Sequence, residues 1–506
     1  MTAPTYDLGK LHGGLRLQAH KKVSTAEAIV EAPLPSQLVV PIEQHVGEPA
    51  QPVVDVGDRV LRGQVIAEPD GEMGAPVHAS SSGTVIAIER WPVVRRYGDK
   101  GPCIVIECDG EDEAFPGWDH GDYRELPPAD LLLRIFDGGI VGLGGAVFPT
   151  AQKLMQARTL QVEHLILNGV ECEPYISCDD VLMREHAADI VSGAQVLMHA
   201  LQVDICFIVV ESDKPEAIHR LGEVLAEAGD DRIVIKQVPT IYPSGGEDQL
   251  VQLVTNREVP SGGLPTDVGC VVQNVGTAAA VHDWIVRGEP LISRVTTLTG
   301  DGVERPVNVR VRLGTTIKDI VDCAGGYRDN PRYLVIGGPM TGKSVTTDEV
   351  PVVKSSNCVL VLADAPTAGP ELACIRCGDC AAVCPVQLLP QQLFWYACAD
   401  NEQKLREFGL TDCIECGCCD LVCPSHIPLT SDFRKAKGRI RELADEKARA
   451  ERARRRFEAR NQRMRLAQEE RDAELKRQKE SAKAAGPDAI AEILARKRKQ
   501  QEDDAE

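Results

Sequence analysis

Eight cysteines in the C-terminal part of the chain form two runs with the same spacing. The first run is Cys374, Cys377, Cys380 and Cys384, and the second is Cys413, Cys416, Cys419 and Cys423. In each run three thiolates fall within seven residues and can hold one cube of iron and sulfide, while the fourth follows a turn and precedes a proline. Such a cube accepts one electron at a time. The repeat therefore predicts two [4Fe-4S] clusters and electron transfer.

The full spacing, C-x2-C-x2-C-x3-C-P, is typical of bacterial two-cluster ferredoxins, in which the fourth cysteine of each run binds the cluster of the other run. It predicts one cluster bound by Cys374, Cys377, Cys380 and Cys423, and a second bound by Cys413, Cys416, Cys419 and Cys384. Cys418 lies between two of these ligands and Cys398 lies between the runs. Neither fits the spacing, so neither is predicted to bind a cluster.

Zinc and disulfide bonds are the alternative uses of such cysteines. A zinc ribbon needs two C-x2-C pairs, without the third and fourth cysteine of each run. Disulfides require an oxidising compartment, and residues 1–40 contain no basic and then apolar segment of the kind that directs secretion. Iron–sulfur clusters therefore fit the sequence better than either alternative.

The bulk composition limits what surrounds the clusters. A chain of 506 residues is expected to form about three to five domains, and no apolar stretch is long enough to span a bilayer. Residues 431–506 carry 23 basic and 17 acidic side chains, which leaves a net charge of −26 on the residues before them. An acidic body repels phosphates, so no nucleic-acid partner is expected.

Residues 37–110 alternate apolar residues with glycine turns, which predicts a small antiparallel barrel or sandwich. With Val56-Gly57-Asp58 and Ser82-Gly83-Thr84 at its turns, this segment resembles a lipoyl or biotinyl carrier domain, a barrel-sandwich hybrid. Its connecting turn, residues 69–75, has no lysine that could be acylated. The domain is therefore predicted to be structural rather than a carrier.

A glycine-rich segment at 138–150 follows a predicted short helix at 130–136. Its glycines allow the backbone to approach a ligand closely and to turn amides towards an anion. Thr150 is predicted to cap a helix at 151–158, which would place the loop at a helix N-terminus that favours phosphate. Apolar strands predicted at 162–168 and 204–211 indicate an α/β arrangement.

Three further segments accompany the glycine-rich loop, at residues 168–174, 242–248 and 271–277. In order and separation, the four segments resemble the flavin-bearing, NADH-oxidising subunit of respiratory complex I. Residues 305–326 resemble the small β-grasp domain that follows the flavin domain in that family. A carrier-like barrel in front and paired clusters behind complete an order that resembles the RnfC family of the Rnf (Rsx) ion-translocating electron transport complex, over about residues 10–430.

The resemblance implies a multidomain protein of mixed α/β and α+β class. The expected parts are an N-terminal segment at 1–36, the barrel-sandwich domain at 37–110, a Rossmann-like FMN- and NAD(H)-binding domain at 128–290, a β-grasp domain at 291–365, a ferredoxin-like helical domain with two clusters at 366–430, and a charged tail at 431–506. The tail is rich in Ala, Arg, Lys and Glu, which predicts a solvated helix or disorder. A basic arm that meets anionic lipid is the alternative for this tail.

The resemblance also implies which residues bind the flavin and the nucleotide. Backbone amides of the glycine-rich loop would contact phosphate, with a lysine one helical turn later as counter-charge, and a phenylalanine would stack on NADH. Glu173 would lie near the nicotinamide. The full set comprises Gly142, Gly144, Gly145, Phe148, Lys153, Asn168, Glu171, Glu173, Glu247, Asn274 and Thr277. The sequence departs from the complex I pattern at Leu143, Val147 and Gln156, which affects the nucleotide pocket more than the flavin site.

A function follows from what these cofactors do. Nicotinamide gives up two electrons as a hydride, so a flavin is needed to pass them singly to the clusters. The resemblance to the RnfC family implies a peripheral subunit, on the cytoplasmic face of the bacterial inner membrane, of a complex that couples electron transfer to ion transport. Its expected partners are integral membrane subunits, NADH and a ferredoxin-type carrier. A flavin-free iron–sulfur adaptor and an NAD-linked subunit of a soluble dehydrogenase are the alternatives.

Overall fold

The computed structural model describes residues 8–71, 73–94, 100–116, 121–328, 333–364, 369–484 and 486–503. The described residues up to Phe433 form one compact unit, and those from Arg434 onward form a second. Within these ranges, no helix has both the length and the apolar character needed to cross a membrane.

The N-terminal part is built from short strands. Their bounds are β1 Val30–Glu31, β2 Gln37–Pro41, β3 Ala50–Pro52, β4 Arg59–Val60, β5 Val65–Pro69, β6 Val77–His78, β7 Gly83–Pro92 and β8 Lys100–Cys108. Strands β2 to β8 pair antiparallel in two sheets, with orders β2-β8-β7-β4 and β3-β5-β6. Apolar residues of both sheets, such as Leu38, Ile66 and Ile106, share one buried core. The predicted antiparallel barrel or sandwich is confirmed.

The next part alternates helices with parallel strands. In chain order these are α1 Pro128–Asp137, α2 Thr150–Arg158, β9 His164–Gly169, α3 Cys178–Glu185, α4 Ala187–Leu201, β10 Ile205–Glu211, α5 Pro215–Ala228, β11 Ile233–Val238, α6 Glu247–Thr255, β12 Cys270–Asn274 and α7 Val275–Arg287. The sheet order is β11-β10-β9-β12. The carboxyl ends of β9 and β12 meet at one edge, where Asn168 lies opposite Asn274. The predicted α/β arrangement is confirmed, with each predicted element present and its bounds shifted by one or two residues.

A six-stranded sheet follows. Its elements are β13 Ser293–Thr299, β14 Val307–Arg312, helix α8 Ile317–Cys323, β15 Tyr333–Ile336, β16 Lys343–Val345 and β17 Cys358–Leu362. The sheet order is β1-β14-β13-β17-β15-β16. Strand β1 pairs parallel with β14, with Val30 opposite Val309. The N-terminal segment, for which the sequence predicts no structure, therefore adds a strand to a sheet formed much later in the chain.

Helices dominate the rest of the chain. They are α9 Asp379–Ala382, α10 Pro390–Cys398, α11 Glu402–Glu407, α12 Cys418–Leu421, α13 Leu429–Ala484 and α14 Gly486–Asp503. In the second unit α13 is exposed on all sides over residues 441–481. Its Ala, Glu, Lys and Arg residues have high helix propensity, and pairs such as Arg454 with Glu458 stabilise successive turns. Of the two predicted forms of the tail, the structure has the helix.

The predicted cap at Thr150 is wrong. Helix α2 begins at Thr150 itself, after Pro149, which makes no side-chain capping bond. The φ of Pro149 is −58°, and this fixed angle leads the chain directly into the helix. Among the described residues, the buried hydroxyl of Thr150 has no hydrogen-bond partner.

Candidate functional site

The structure groups the eight cysteines of the two runs around two small cavities. The first-run cavity is lined by Cys374, Cys377, Cys380 and Cys423, together with apolar residues that include Phe394 and Ile427. The second-run cavity is lined by Cys384, Cys413, Cys416 and Cys419, together with Leu388, Leu393 and Phe433. Each cavity thus combines three cysteines of one run with the fourth of the other, as the spacing predicts.

The backbone of the two runs repeats as well. Each cysteine of the second run follows its counterpart by 39 residues, and the same offset relates α9 to α12. The left-handed residues also correspond, because Arg376 and Glu415 have φ of 58° and 57°, and Gly378 and Gly417 have φ of 90° and 77°. Alternation of left-handed and helical residues turns successive amides towards one side, which suits the negative sulfurs of a cluster. Four thiols, turned amides and an apolar lining fit a [4Fe-4S] group at each cavity.

The two remaining cysteines of this region differ in position. Cys398 is exposed at the end of α10 and is not part of either cavity lining. Cys418 is buried and contributes to the lining of the second-run cavity. Its counterpart 39 residues earlier is Asp379, not a cysteine, so the repeat gives Cys418 no ligand position.

The glycine-rich loop lies beside the start of α7. The exposed part of the loop is Gly144–Ala146. The atoms nearest to a methyl group added to Gly144 belong to the Asn274 side chain, the closest at 3.5 Å. The buried Thr277 hydroxyl accepts a hydrogen bond from the Leu143 amide at 2.9 Å. Asn274 caps α7 by accepting from the Gly276 amide at 2.8 Å. The loop therefore leaves an open, backbone-lined concavity at a helix N-terminus, which fits a phosphate.

The loop adopts a strained conformation just before its phenylalanine. Val147 has a φ of 45°, in the left-handed region that a β-branched residue rarely adopts. This is the position at which the sequence departs from the glycine of the complex I pattern. Phe148 is half-buried, and its carbonyl accepts from the Gly142 amide at 2.9 Å.

A buried acidic group lies on the other side of Asn274. The Asn274 amide nitrogen donates to Asp179 at 2.6 Å, and the Glu171 carboxylate accepts from the Asp179 amide at 2.7 Å. Burial and the nearby Glu171 charge raise the pKa of Asp179. Asp179 also lines a pocket with Leu143, Gly276 and Arg294. Sequence reasoning missed Asp179, because an acid at a helix start is common and carries no specific signal.

The remaining predicted residues are already engaged. Asn168 donates to the Gly245 carbonyl at 2.9 Å. Glu173 accepts from the amides of Met340 and Thr341, each at 2.9 Å, and so contacts the turn between β15 and β16. Lys153 forms an ion pair with Glu247 and donates to the Val272 carbonyl at 2.7 Å. The predicted residues thus lie in one neighbourhood, but Glu173 and Lys153 have protein partners of their own.

An N-terminal strap, defined as residues 9–24, contacts several parts of this region. The Gly14 amide donates to the Val383 carbonyl at 2.9 Å, next to Cys384, and Leu15 forms a β-bridge with Tyr242. Further along, the Lys21 ammonium lies 3.6 Å from the Glu171 carboxylate, and both side chains are buried. Sequence reasoning missed the strap because its partners lie more than a hundred residues away.

Residues of the α/β part also contact the second cysteine run and the residue just before it. The Tyr242 hydroxyl donates to the Cys416 carbonyl at 2.6 Å, and the Ser261 hydroxyl donates to Asp412 at 2.6 Å. A methyl group added to Gly417 would lie 3.3 Å from the carbonyl of Met340, whose amide binds Glu173. The second-run cavity is therefore linked to the glycine-rich region by short protein contacts.

Four family models match consecutive parts of the chain. They are the RnfC barrel sandwich hybrid domain at residues 9–111, the Nuo51 FMN-binding domain at 135–283, the SLBB domain at 295–344 and the 4Fe-4S dicluster domain at 373–427. The chain therefore combines an FMN-binding domain with a domain for two [4Fe-4S] clusters.

A solved NAD+-reducing [NiFe]-hydrogenase in the air-oxidized state is similar over 56% of this chain and 54% of its own, with 20% identity and a TM-score of 0.41. The RnfC protein of the ion-translocating oxidoreductase complex of Pseudomonas aeruginosa is 48% identical over 91% of this chain. Its namesake from Salmonella dublin is 44% identical over 97% of this chain. This chain spans 60% of the length of the first relative and 69% of the second. With this identity over most of its length, the chain belongs to the RnfC family of ion-translocating oxidoreductase complex subunits.

Proposed function

We propose that this chain is the peripheral electron-transfer subunit of a membrane-bound ion-translocating oxidoreductase, and that it passes electrons between NAD(H), FMN and two [4Fe-4S] clusters. The observation that carries the proposal is the position of the second-run cavity. One of its four cysteines, Cys416, accepts a hydrogen bond from Tyr242 through its carbonyl. The segment of Tyr242, residues 242–248, also contains Glu247, which forms an ion pair with Lys153 just after the glycine-rich loop. One compact unit thus holds a place for a two-electron cofactor beside places for one-electron cofactors.

The residues of the glycine-rich region have distinct roles in this proposal. The amides of Gly144 and Gly145 bind phosphate, whereas the Gly142 amide, which was predicted to do the same, donates to the Phe148 carbonyl. Thr277 fixes the loop against α7, and Asn274 caps that helix. Asn168, Glu171 and Glu247 form the polar wall of the flavin site. FMN, when bound, accepts a hydride and supplies single electrons. Phe148 and Glu173 contribute the nucleotide side. The contact of Glu173 with Met340, whose carbonyl lies close to Gly417, supports a position for Glu173 near the second cysteine run.

The contacts also suggest an order for the two clusters. The second-run cavity is the one that Tyr242, the strap and the Met340 turn approach. Cys377, which lines the first-run cavity, is exposed. We infer that the cluster of Cys384, Cys413, Cys416 and Cys419 exchanges electrons with the flavin. The cluster of Cys374, Cys377, Cys380 and Cys423 then exchanges electrons with a partner protein.

The partners and the location belong to the proposal as well. The names of the relatives refer to an ion-translocating complex, which implies membrane subunits besides this chain. We propose attachment at the cytoplasmic face of the inner membrane, where NADH is found, with a ferredoxin-type carrier as a further redox partner.

A second candidate function is an iron–sulfur adaptor without flavin. Two residues predicted to bind the cofactors already have protein partners, which favours this alternative. Lys153 is bound by Glu247 and the Val272 carbonyl, and Glu173 is bound by residues 340 and 341. These contacts must be shared or exchanged when a nucleotide binds. The adaptor would keep both cluster sites and would not react with NADH.

An anaerobic titration separates the two functions. The full chain is reconstituted with iron, sulfide and FMN, NADH is added, and visible and EPR spectra are recorded, with dithionite as the reductant that bypasses the flavin. The proposal predicts flavin bleaching and a reduced-cluster EPR signal with NADH. The adaptor predicts a cluster signal with dithionite alone, and that outcome would overturn NADH entry through this chain.

A further inference from the structure

The barrel-sandwich domain, which lacks an acylable lysine, lies against the glycine-rich loop. We use the term barrel clamp for residues 44–46 and 74–78. At the far end of the loop the Val46 amide donates to the Val147 carbonyl at 3.1 Å. In the first turn of α2, the Gln152 side chain donates to the Gly74 carbonyl at 2.8 Å. The barrel clamp therefore contacts the loop where it enters the helix.

A buried lysine joins the near end of the loop to the same clamp. The side-chain ammonium of Lys354 donates to the Gly139 carbonyl at 2.7 Å and to the Pro76 carbonyl at 3.1 Å. The backbone amide of Lys354 donates to Gln44 at 3.1 Å. Lys354 thus bridges the barrel and the first residues of the glycine-rich loop.

The first residues of the glycine-rich loop pack too tightly against the barrel to accept a side chain at Gly139. Gly139 has a φ of 65°, and a methyl group added there would lie 2.5 Å from the Pro76 carbonyl oxygen and 3.0 Å from the His78 ring. The backbone of the loop therefore rests directly on the barrel, and glycine is required for this approach.

The strain at Val147 also points to an external restraint. A β-branched residue in the left-handed region persists only where its surroundings determine its conformation. The hydrogen bond from Val46 to the Val147 carbonyl is such a restraint. The shape of the loop is thus determined partly by the barrel and not by the loop sequence alone.

Lys354 is a costly way to hold two carbonyls. Its residue is only 1% exposed, and its ammonium hydrogen bonds are to carbonyl oxygens rather than to a carboxylate. Burial lowers the pKa of Lys354 to about 7, which reflects the penalty of placing the charge there. An apolar residue would pack at lower cost if the contact served stability alone.

Lys354 reaches the opposite wall of the candidate site too. Its carbonyl accepts a hydrogen bond from the buried Arg294 guanidinium, and Arg294 lines the pocket that contains Leu143 and Asp179. The Arg294 charge acts to lower the pKa of Asp179, against the larger effect of burial. One residue therefore contacts elements on both sides of the concavity beside the glycine-rich loop.

We propose that Lys354 is a positioning residue through which the barrel-sandwich domain holds the glycine-rich loop in its FMN-binding shape. The inference rests on the proposed function, because it assumes that this loop binds FMN. It gives the barrel a role in the redox site in place of the carrier role of the domains that it resembles.

The test compares FMN affinity in four variants of the full chain, each reconstituted anaerobically with its clusters. Lys354→Met removes the two donors, Lys354→Arg keeps donors and charge, and Gln152→Leu removes the bond at the other end of the loop. The matched control is Lys318→Met, on an exposed lysine of α8. FMN binding is followed by the loss of flavin fluorescence, the potential of bound FMN by redox titration, and folding by cluster absorbance.

We expect Lys354→Met to weaken FMN binding about tenfold, the effect of leaving two carbonyls without a charged donor. Its cluster absorbance should stay unchanged, and the potential of any bound FMN should shift. Lys354→Arg should bind FMN more tightly than Lys354→Met, and Gln152→Leu should weaken binding about threefold. Lys318→Met should match the unmodified chain.

Unchanged FMN affinity and potential in Lys354→Met would overturn the inference. If Lys354→Met also loses its clusters, Gln152→Leu decides, and normal FMN affinity in that variant would count against the clamp. A failure of the unmodified chain to bind FMN would instead refute the proposed function, so the two failures are distinguishable.

Discussion

At the residue scale, the sequence predicted how the cysteines group, but not the partners of the polar residues near the glycine-rich loop. The spacing of the cysteines is local, so the sequence of residues 374–384 and 413–423 largely determines how each run folds. The cysteines group around two cavities in the predicted cross-run pattern. The partners of Glu173 and Lys153 come from distant segments. No spacing rule reveals that a carboxylate will be held by a turn more than 160 residues away.

The cross-run grouping predicts where damage will appear. Cys384→Ser should destroy the cluster built on Cys413, Cys416 and Cys419 and leave the other cluster intact, because Cys384 lines only the second-run cavity. Iron content should fall by about half, and one of two EPR signals should disappear. Cys418→Ser is the control, and it should retain both clusters. Loss of the first-run signal in Cys384→Ser would contradict the assignment.

Gly144 provides a test of the phosphate site that does not disturb the fold. The three atoms nearest to a methyl group at this position belong to the Asn274 side chain, and the nearest lies at 3.5 Å, an ordinary contact distance. Gly144→Ala should therefore fold normally and yet obstruct a phosphate that approaches the backbone. We expect FMN affinity to fall about tenfold or more. Gly222→Ala is the matched control, because a methyl group there meets nothing within 4 Å. Equal FMN binding in both variants would place the phosphate elsewhere.

At the element scale, the sequence predicted the barrel strands and the α/β elements but not the connections between them. Alternating and apolar runs mark the region of β2 to β8 and the strands β9 and β10, because each lies within one local pattern. Strands β11 and β12 were not predicted. The pairing of β1 with β14 and the path of the N-terminal strap depend on residues far apart in the chain. The start of α2 also differed from expectation, because the helix begins at Thr150 itself, after Pro149, and has no side-chain cap.

The strap should stabilise the segment that carries Glu171. Lys21→Met leaves the Glu171 carboxylate buried without its cation, which is expected to cost about 3 kcal/mol. Hydrogen exchange at residues 168–180 should therefore accelerate, while exchange in the barrel strands stays the same. The neighbouring Lys22 is exposed, so Lys22→Met serves as the control. Equal protection in the two variants would show that the strap does not hold this segment.

At the scale of the whole molecule, the barrel, the α/β layer, the six-stranded sheet and the cluster region form one compact unit. The family could be identified from the order of motifs. The clamp between the barrel and the glycine-rich loop could not, because Lys354 looks like any other lysine in the sequence. Its hydrogen bonds to the Pro76 and Gly139 carbonyls form only in the folded chain, because these residues lie more than 200 positions before it.

The buried Lys354 predicts a pH dependence of stability. Its pKa is lowered from 10.5 to about 7 by burial, so between these values the unfolded chain binds more protons than the folded chain. Stability from this group therefore rises with pH above about 7, by up to about 1.4 kcal/mol per pH unit. Burial, and after it the Lys354 charge, also lowers the pKa values of the nearby His45 and His78.

Thermal unfolding of the unmodified chain and of Lys354→Met at pH 6.5, 7.5 and 8.5 measures this effect, where the pH values bracket a pKa of about 7. The unmodified chain should gain stability relative to the variant as the pH rises. If the stability of the unmodified chain minus that of Lys354→Met stays constant or falls as the pH rises, burial does not lower the pKa of Lys354 in the folded chain.

The most direct test of the central claim is the order of reduction after one rapid anaerobic mixing of the reconstituted chain with NADH. Flavin and cluster absorbance are recorded in the same stopped-flow experiment. Our account predicts that the flavin is reduced first and that cluster reduction follows, with the cluster phase reduced in amplitude in Cys384→Ser. Clusters that are reduced by NADH in a chain without FMN, or a flavin that is reduced while the clusters stay oxidised, would contradict it.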